Sequence, residues 1–348
     1  MKIFFFTYGI VGGGAERVTS IIANGLAERG HDVAIVINDV PLAYPISKKV
    51  KLFYYFKGNK RRLRYRIALF KGMRGVLKRE HPDYAVGILR MYCRYLLFAS
   101  IGLRIKTVAW DHSPFSPIPD SGQTIHLTKY LLYPFFTHTF VLTKQDYNDS
   151  WYKSNISIMP NPVPFATASS PSVGNVVLGV GNIGTWRIKG FDLLIRAWAI
   201  ICHQYPSWKL RIIGRGSDQY LQSLIDSLGI SNRVQIGAHC DNIIDEYKQS
   251  SIFVLSSRSE GFPMVLIEAM SQGCATVSFS IKGRINTITD SSASLILPDG
   301  DLDGMANAIS RLIDNPGLRY SMGLEGLEQS KSFSIEKTLD RWESILFK

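Results

Sequence analysis

Glu260 and Glu268, separated by seven residues in SSRSEGFPMVLIEAMSQGCATVSF, are the side chains in this sequence best placed to act together. The preceding run IFVLSS predicts a buried strand that ends in a short loop holding Glu260 and Gly261. Pro263 suits the first turn of a helix, where its missing N–H is no loss. That helix carries Glu268 about a turn and a half from its start and stops near Gly273. The free N–H groups of Met264 to Ile267 then lie on the side where Glu260 sits, and a helix start with open N–H groups is a ready phosphate site. Stripped of these flanks, the pair would read as a dipole-favouring glutamate and a solvated helical one.

Two further places carry candidate chemistry. The run Gly12-Gly13-Gly14 in VGGGAER follows an apolar strand and opens a helix. It is no dinucleotide fingerprint, because Arg17 stands where the third glycine is required, and it lacks the GK[ST] of a P-loop. Until the glutamate pair supports a phosphate role, it reads equally as a tight strand-to-helix turn. The second place is IKTVAWDHSPF, where Trp110, Asp111 and His112 end a strand. A histidine there can bind or move a proton near neutral pH. His31, His81, His126, His138, His203 and His239 have no comparable setting.

The elements that must hold these residues alternate. KIFFFTY, HDVAIVIND, VKLFYYF, YAVGIL, IKTVAW and HTFVLT predict strands in the first half, with Ala15 to Arg29 as a helix burying Val18, Ile21, Ile22 and Leu26. MPNPVPFATASSPSVGN breaks the pattern and predicts a linker. A second series follows, with strands VVLGVG, WKLRIIG, RVQIGA, IFVLSS, CATVSF and SLILP. Helices are expected at about 190–204, 217–228, 243–249, 263–272 and 302–314. Strands separated by helices indicate βαβ units and parallel sheets. The expectation is α/β: two Rossmann-like doubly wound domains with an interdomain cleft, and ligands at the carboxyl ends of the strands. The boundaries expected are 1–163, 174–330, and a C-terminal helix in 331–348 packing back toward the N-terminal domain.

Composition limits the function classes. With 46% apolar and 20% charged residues in 348, the chain can bury sizeable cores. Cys93, Cys202, Cys240 and Cys274 form no CxxC pair, which fits buried thiols in a reducing cytosol better than disulfides or zinc. The uncharged stretch from Ile3 to Ala15 lacks a signal-peptide cleavage pattern. No run approaches the roughly 20 apolar residues of a bilayer span. A cytoplasmic protein is expected.

Charge is unevenly placed. Residues 1–165 hold 23 of the 40 Lys and Arg and 10 of the 28 Asp and Glu. Lys48 to Arg79 alone contains thirteen basic residues and no acidic one. Within it, KRRLRYRIALFKGMRGVLKR places Leu63, Ile67, Phe70, Met73 and Leu77 at helical spacing, with Arg61, Arg62, Arg64 and Arg66 among them. Such a basic amphipathic helix fits an anionic membrane surface, although an ordinary helix packing on a sheet has the same pattern. No helix-turn-helix, RRM or zinc signature supports nucleic acid as the partner.

In EGFPMVLIEAMSQG followed by a strand, the chain resembles glycosyltransferase family 4 of the GT-B fold. VGGGAER, MPNPV, GVGNIGTWRIKGFDLLIRAW, IIGRGSDQYLQSLIDSLGISNRVQIGA, SLILPDGDLDGMANAI and a closing helix ending in Trp342 follow the family's order over nearly the whole length. The resemblance implies that Glu260 contacts hydroxyls of a donor sugar and Glu268 the ribose of its nucleotide. It implies that Gly13 and Gly14 face the donor phosphates, with Gly261, Phe262, Pro263, Met264 and Val265 framing them from the second domain. Lys189 matches the family's phosphate-binding lysine. Asn182 stands where the family usually has an arginine, and Arg187 is the substitute cation at hand. His112 matches a histidine near the reacting carbon.

The implied activity is retaining transfer of a hexose or N-acetylhexosamine from a nucleotide-sugar, UDP favoured, to a hydroxyl of a lipid-linked saccharide or lipopolysaccharide acceptor. The enzyme is expected to lie peripherally on the inner face of the cytoplasmic membrane. No DxD metal motif is expected in the sequence, so neither metal nor other cofactor is expected. Two alternatives stay open: a nucleotide-sugar epimerase of related fold, which would need no acceptor, and a degenerate partner subunit of a glycan-assembly complex, which would bind no nucleotide.

Overall fold

Long apolar runs buried on both faces form two parallel sheets, one in each half of the chain. The computed structural model describes residues 1–56, 62–115, 126–217, 219–237 and 242–347, and the side chains of 62–64 and 126–128 lie outside that description. Packing divides the chain into one unit of Met1–Pro164 with Ile335–Lys348 and a second of Phe165–Ser334.

The first unit contains β1 (Lys2–Phe6), β2 (Asp32–Ile37), β3 (Lys51–Tyr54), β4 (Tyr84–Ile88), β5 (Lys106–Trp110), β6 (His138–Val141) and β7 (Ile156–Ile158). They pair in the order β3-β2-β1-β4-β5-β6-β7, always parallel. Its helices are α1 (Gly14–Glu28), α2 (Arg62–Glu80), α3 (Leu89–Ser100), α4 (His126–Leu132), α5 (Lys144–Asp149) and, from the chain's end, α13 (Ile335–Leu346). Successive side chains of a strand point to opposite faces, and β1 shows the result. Phe4 and Phe6 join Leu69, Met73 and Leu77 of α2 and Tyr92 and Leu96 of α3 in one cluster. Phe5 meets Trp342 of α13, whose ring also packs on Trp110 and Phe140 at 4.8 and 5.0 Å between centroids.

The stripe that α2 buries differs from the expected one. Leu69, Met73, Val76 and Leu77 are buried, whereas Ile67 is 52% exposed. Gly72 sets this rotation: a Cβ there would lie 2.2 Å from the Tyr55 carbonyl oxygen, so the helix rests its glycine against the end of β3. Arg61 lies outside the described residues, as do the side chains of Leu63, Arg62 and Arg64.

The second unit contains β8 (Val176–Val180), β9 (Lys209–Ile213), β10 (Val234–Gly237), β11 (Ile252–Leu255), β12 (Ala275–Phe279) and β13 (Ser294–Leu297), ordered β10-β9-β8-β11-β12-β13 and all parallel. Helices α6 (Trp186–Lys189), α7 (Phe191–Ile201), α8 (Gln219–Ser227), α9 (Ile243–Lys248), α10 (Met264–Ser271), α11 (Leu302–Asp314) and α12 (Pro316–Ser330) complete it. Both units are doubly wound, and strand order reverses between β1 and β4 and between β8 and β11. Cys93, Cys202 and Cys274 are buried free thiols. Among the described residues, no helix is long and apolar enough to cross a membrane.

Candidate functional site

Where strand order reverses in an open α/β sheet, the connections diverge and leave room for a ligand at the carboxyl ends of the strands. In the second unit that place lies beyond β8 and β11. The segment after β8 carries Asn182, Arg187 and Lys189, and the segment after β11 carries Glu260 to Val265. Lys189 Nζ lies 2.8 Å from Glu260 Oε1, which also accepts from Ser257 Oγ at 2.7 Å. Both side chains are mostly but not wholly buried, 24% and 11% exposed.

The two segments are fastened to one another through their backbones. Gly190 has φ 66°, and a Cβ there would lie 1.8 Å from the Ser256 carbonyl oxygen, so no other residue fits. Ser256 Oγ donates to the Lys189 carbonyl at 2.9 Å, and the Arg258 amide to that of Ile188 at 2.8 Å. The Arg258 guanidinium grips both carboxylate oxygens of Asp192, at 2.7 and 2.8 Å, and also the Arg187 carbonyl. A bidentate pair of this kind fixes geometry as well as charge.

Glu268 is 2% exposed on α10, and Tyr247 OH donates to its Oε2 at 2.9 Å. Pro263 occupies the N-cap of α10, one position before the helix proper, and caps nothing with its side chain. Contrary to the sequence expectation, the first-turn amides are not all open. The Met264 N–H is engaged by the Phe262 carbonyl and the Leu266 N–H by that of Pro263, while neither bond uses the Val265 amide. Phe262 is buried with its ring edge-on to Phe333, and Gly261 is partly exposed.

Asn182 is exposed at the end of β8. The Arg187 side chain is exposed and forms no ion pair among the described residues. A third cation stands close by. The Arg215 carbonyl accepts from the Ile183 amide at 2.8 Å, which joins the loop after β9 to the Asn182 loop, and Arg215 is exposed.

The first unit carries the remaining candidates. The Gly13 amide donates to Glu16 Oε2 at 2.7 Å, so a carboxylate of the same helix already occupies the first donor of the glycine loop; Gly14 begins α1. Arg66 is exposed on α2.

His112 follows β5 with both ring nitrogens buried and without a hydrogen-bond partner among the described residues, its ring 4.4 Å from that of Trp110. Burial pushes its pKa down to about 4 against the opposing pull of Asp111, so the imidazole is neutral at physiological pH. Burial would raise the Asp111 carboxyl, yet Lys129, Arg90, Ser113 and Tyr133 together hold it below the usual carboxylate range. Leu89, directly before Arg90, has φ 65°, a strained state for a side-chain-bearing residue that its surroundings must impose.

Among the described residues, no three His, Cys, Asp or Glu side chains converge as metal ligands. The sequence does spell D-x-D at Asp299-Gly300-Asp301, contrary to the expectation of no such motif, but those carboxylates serve the backbone. Asp299 accepts from the Ile281 and Lys282 amides at 2.6 and 3.0 Å, and Asp301 caps α11 through Gly304 at 2.8 Å. Ser257, Arg258, Asp192, Tyr247, Arg215 and Lys129 were not singled out from sequence. Adjacency to Glu260 and Lys189 was the available signal for the first three, and nothing local marks the others.

Residues 12–164 match the family model Glycosyltransferase Family 4, and residues 166–329 the model Glycosyl transferases group 1. An uncharacterized glycosyltransferase of Haemophilus influenzae is 26% identical over 354 residues, covering 99% of each chain. The Campylobacter jejuni GalNAc-alpha-(1->4)-GalNAc-alpha-(1->3)-diNAcBac-PP-undecaprenol alpha-1,4-N-acetyl-D-galactosaminyltransferase is 24% identical over 360 residues, with 99% of this chain and 98% of that one covered. Anabaena Alr3699/HepE in complex with UDP-glucose superposes with a TM-score of 0.81 at 17% identity, covering 100% and 99% of the two chains.

Proposed function

We propose that this chain, a GT-B glycosyltransferase built of a family 4 domain and a group 1 domain, moves a hexose or N-acetylhexosamine from a UDP-sugar to a hydroxyl of a lipid-linked saccharide in surface-glycan synthesis. The observation that carries the reading is the meeting of Glu260 and Lys189 across the β8–β11 switch, with Glu268 buried on the helix that follows. The relatives supply the substrate classes: an undecaprenyl-diphosphate-linked acceptor in one name, UDP-glucose in one structure.

In this reading Glu260 accepts hydrogen bonds from donor-sugar hydroxyls, and Glu268, oriented by Tyr247, accepts from the ribose. Lys189, the Val265 amide and the exposed Arg187 and Arg215 meet the charge of the departing diphosphate. Arg187 and Arg215 together make up for the arginine missing at Asn182. The bond from the anomeric carbon to the diphosphate oxygen breaks, the acceptor oxygen bonds to the same face, and its proton passes to the leaving diphosphate. Configuration is thereby retained. His112, neutral and with two unengaged nitrogens, hydrogen-bonds a sugar hydroxyl near the reacting carbon.

The acceptor side of the reading rests on the first unit. Arg66, Lys71, Lys78 and Arg79 are exposed on α2 beside the half-exposed Ile67. Arg74 ties α2 to the end of α3, where Phe98 and Ile101 are 45% and 63% exposed. Cations interleaved with apolar anchors fit an anionic bilayer surface, which supports the reading of a peripheral enzyme on the cytoplasmic face. The test is transfer of labelled sugar from donor to a polyprenyl-linked acceptor. Glu260→Ala should abolish it with thermal unfolding unchanged, and wild-type turnover in that variant would remove Glu260 from the reaction.

A further inference from the structure

We infer that Lys129 is a positioning residue for His112: its buried ammonium grips the chain on both sides of the imidazole and so fixes where the ring stands. The inference rests on the role of His112 proposed above.

Before the histidine, Lys129 Nζ lies 3.2 Å from Asp111 Oδ2. After it, the same ammonium donates to the Ser113 carbonyl at 2.9 Å, to Ser113 Oγ at 3.0 Å and to the Pro114 carbonyl at 2.7 Å. Its side chain is 2% exposed. Asp111 is held in turn by Ser113 Oγ at 2.8 Å and Tyr133 OH at 2.9 Å, and Arg90 donates to Ser113 Oγ at 3.2 Å. Every residue flanking His112 is thus tied down, while His112 itself has no hydrogen bond among the described residues. A ring without bonds of its own takes its place from its backbone and from Trp110, against which it lies.

Stability alone does not explain this hub. An ammonium taken out of water costs several kcal/mol, and apolar replacements of buried ion pairs are often neutral or stabilising. A fold needing only packing at the end of α4 has no use for a lysine there. What the lysine adds is direction: one cation with several acceptors defines the loop more narrowly than an apolar contact can.

The hub also sets the field at His112. The charged and titratable groups around it are Asp111, Lys129 of α4, Arg90 and Cys93 of α3, Tyr133, and Asp146 of α5, which acts on Lys129. Asp111 favours the protonated imidazole, and Lys129 opposes Asp111. Removing the lysine alone leaves the carboxylate less balanced, so the proton affinity of His112 should rise.

The experiment combines NMR titration of the His112 ring with donor kinetics in the full chain. In Lys129→Met, the His112 midpoint should move up by about one pH unit. The kcat should fall at least about tenfold, as small misplacements of reacting groups do, with the donor KM within about twofold of wild type. A cooperatively folding Lys129→Met with the wild-type midpoint and kcat would overturn the inference. If that variant does not fold, Lys129→Met/Asp111→Asn decides, since it removes both charges of the buried Lys129–Asp111 pair; it should keep the low kcat, and wild-type kcat would overturn the inference. Unimpaired turnover in His112→Ala would sink the reading of His112 separately, and the His112 midpoint in Lys129→Met would then decide the role of Lys129 by itself.

Discussion

Glu260→Gln should tighten the binding of UDP lacking any sugar. In the structure Lys189 is already engaged, 2.8 Å from the Glu260 carboxylate, so a diphosphate must compete for it. The amide of glutamine keeps the volume and can still bond Ser257, but it releases the ammonium. The release is worth an intermediate amount. Exposed ion pairs contribute roughly 0.2–1 kcal/mol, while breaking a buried one costs about 3–5 kcal/mol. Side chains 24% and 11% exposed lie between, at about 1.4 kcal/mol, or a tenfold fall in the Kd of UDP. Isothermal titration of UDP into wild type and Glu260→Gln measures it. The same substitution in a Lys189→Ala background should leave the Kd unchanged, because the coupling needs both partners. Equal or weaker binding of UDP by Glu260→Gln would refute the idea that the two donor-site charges restrain one another.

Gly190→Ala should lose about 2 kcal/mol or more, since a left-handed alanine alone costs roughly 1–2 kcal/mol and its Cβ would strike Ser256; an unchanged melting temperature would contradict this. His112, with a folded pKa of about 4 against 6.5, is protonated first in the unfolded chain as pH falls. Its contribution to stability is therefore complete above pH 6.5 and is lost toward pH 4, by about 3 kcal/mol. The stability difference between wild type and His112→Gln, measured by denaturant titration at several pH values, should shrink accordingly, and a flat difference would argue against a buried neutral ring. Changing Arg61, Arg62, Arg64 and Arg66 to Ser should weaken co-sedimentation with phosphatidylglycerol vesicles, at about 1 kcal/mol per cation near the surface. Equal co-sedimentation would remove the membrane argument.

What was legible in the sequence follows what is local in the structure. Apolar runs gave β1 and β8 to β13 because buried parallel strands need unbroken apolar residues. The three-residue β7 is too short to show a period. The strand–loop–proline–helix setting displayed Glu260 and Glu268 without reference to distant residues. Partners remote in sequence stayed hidden: Arg258 finds Asp192 across 66 residues, and Tyr247 reaches Glu268 across 21. The rotation of α2 was likewise set from outside, by Gly72 against Tyr55. Capping had the same effect at smaller range, with Glu16 taking the Gly13 amide and Asp301 that of Gly304.

The central claim, a nucleotide-sugar site built around Glu260, Lys189 and Glu268, is tested most directly by calorimetric titration of UDP-, GDP- and ADP-sugars into wild type and Glu268→Ala. The account predicts that a UDP-sugar binds wild type one to one and binds Glu268→Ala at least about tenfold more weakly, the loss expected for a buried carboxylate that holds a ribose. Absence of binding by every donor, or equal affinity in the two proteins, would contradict it.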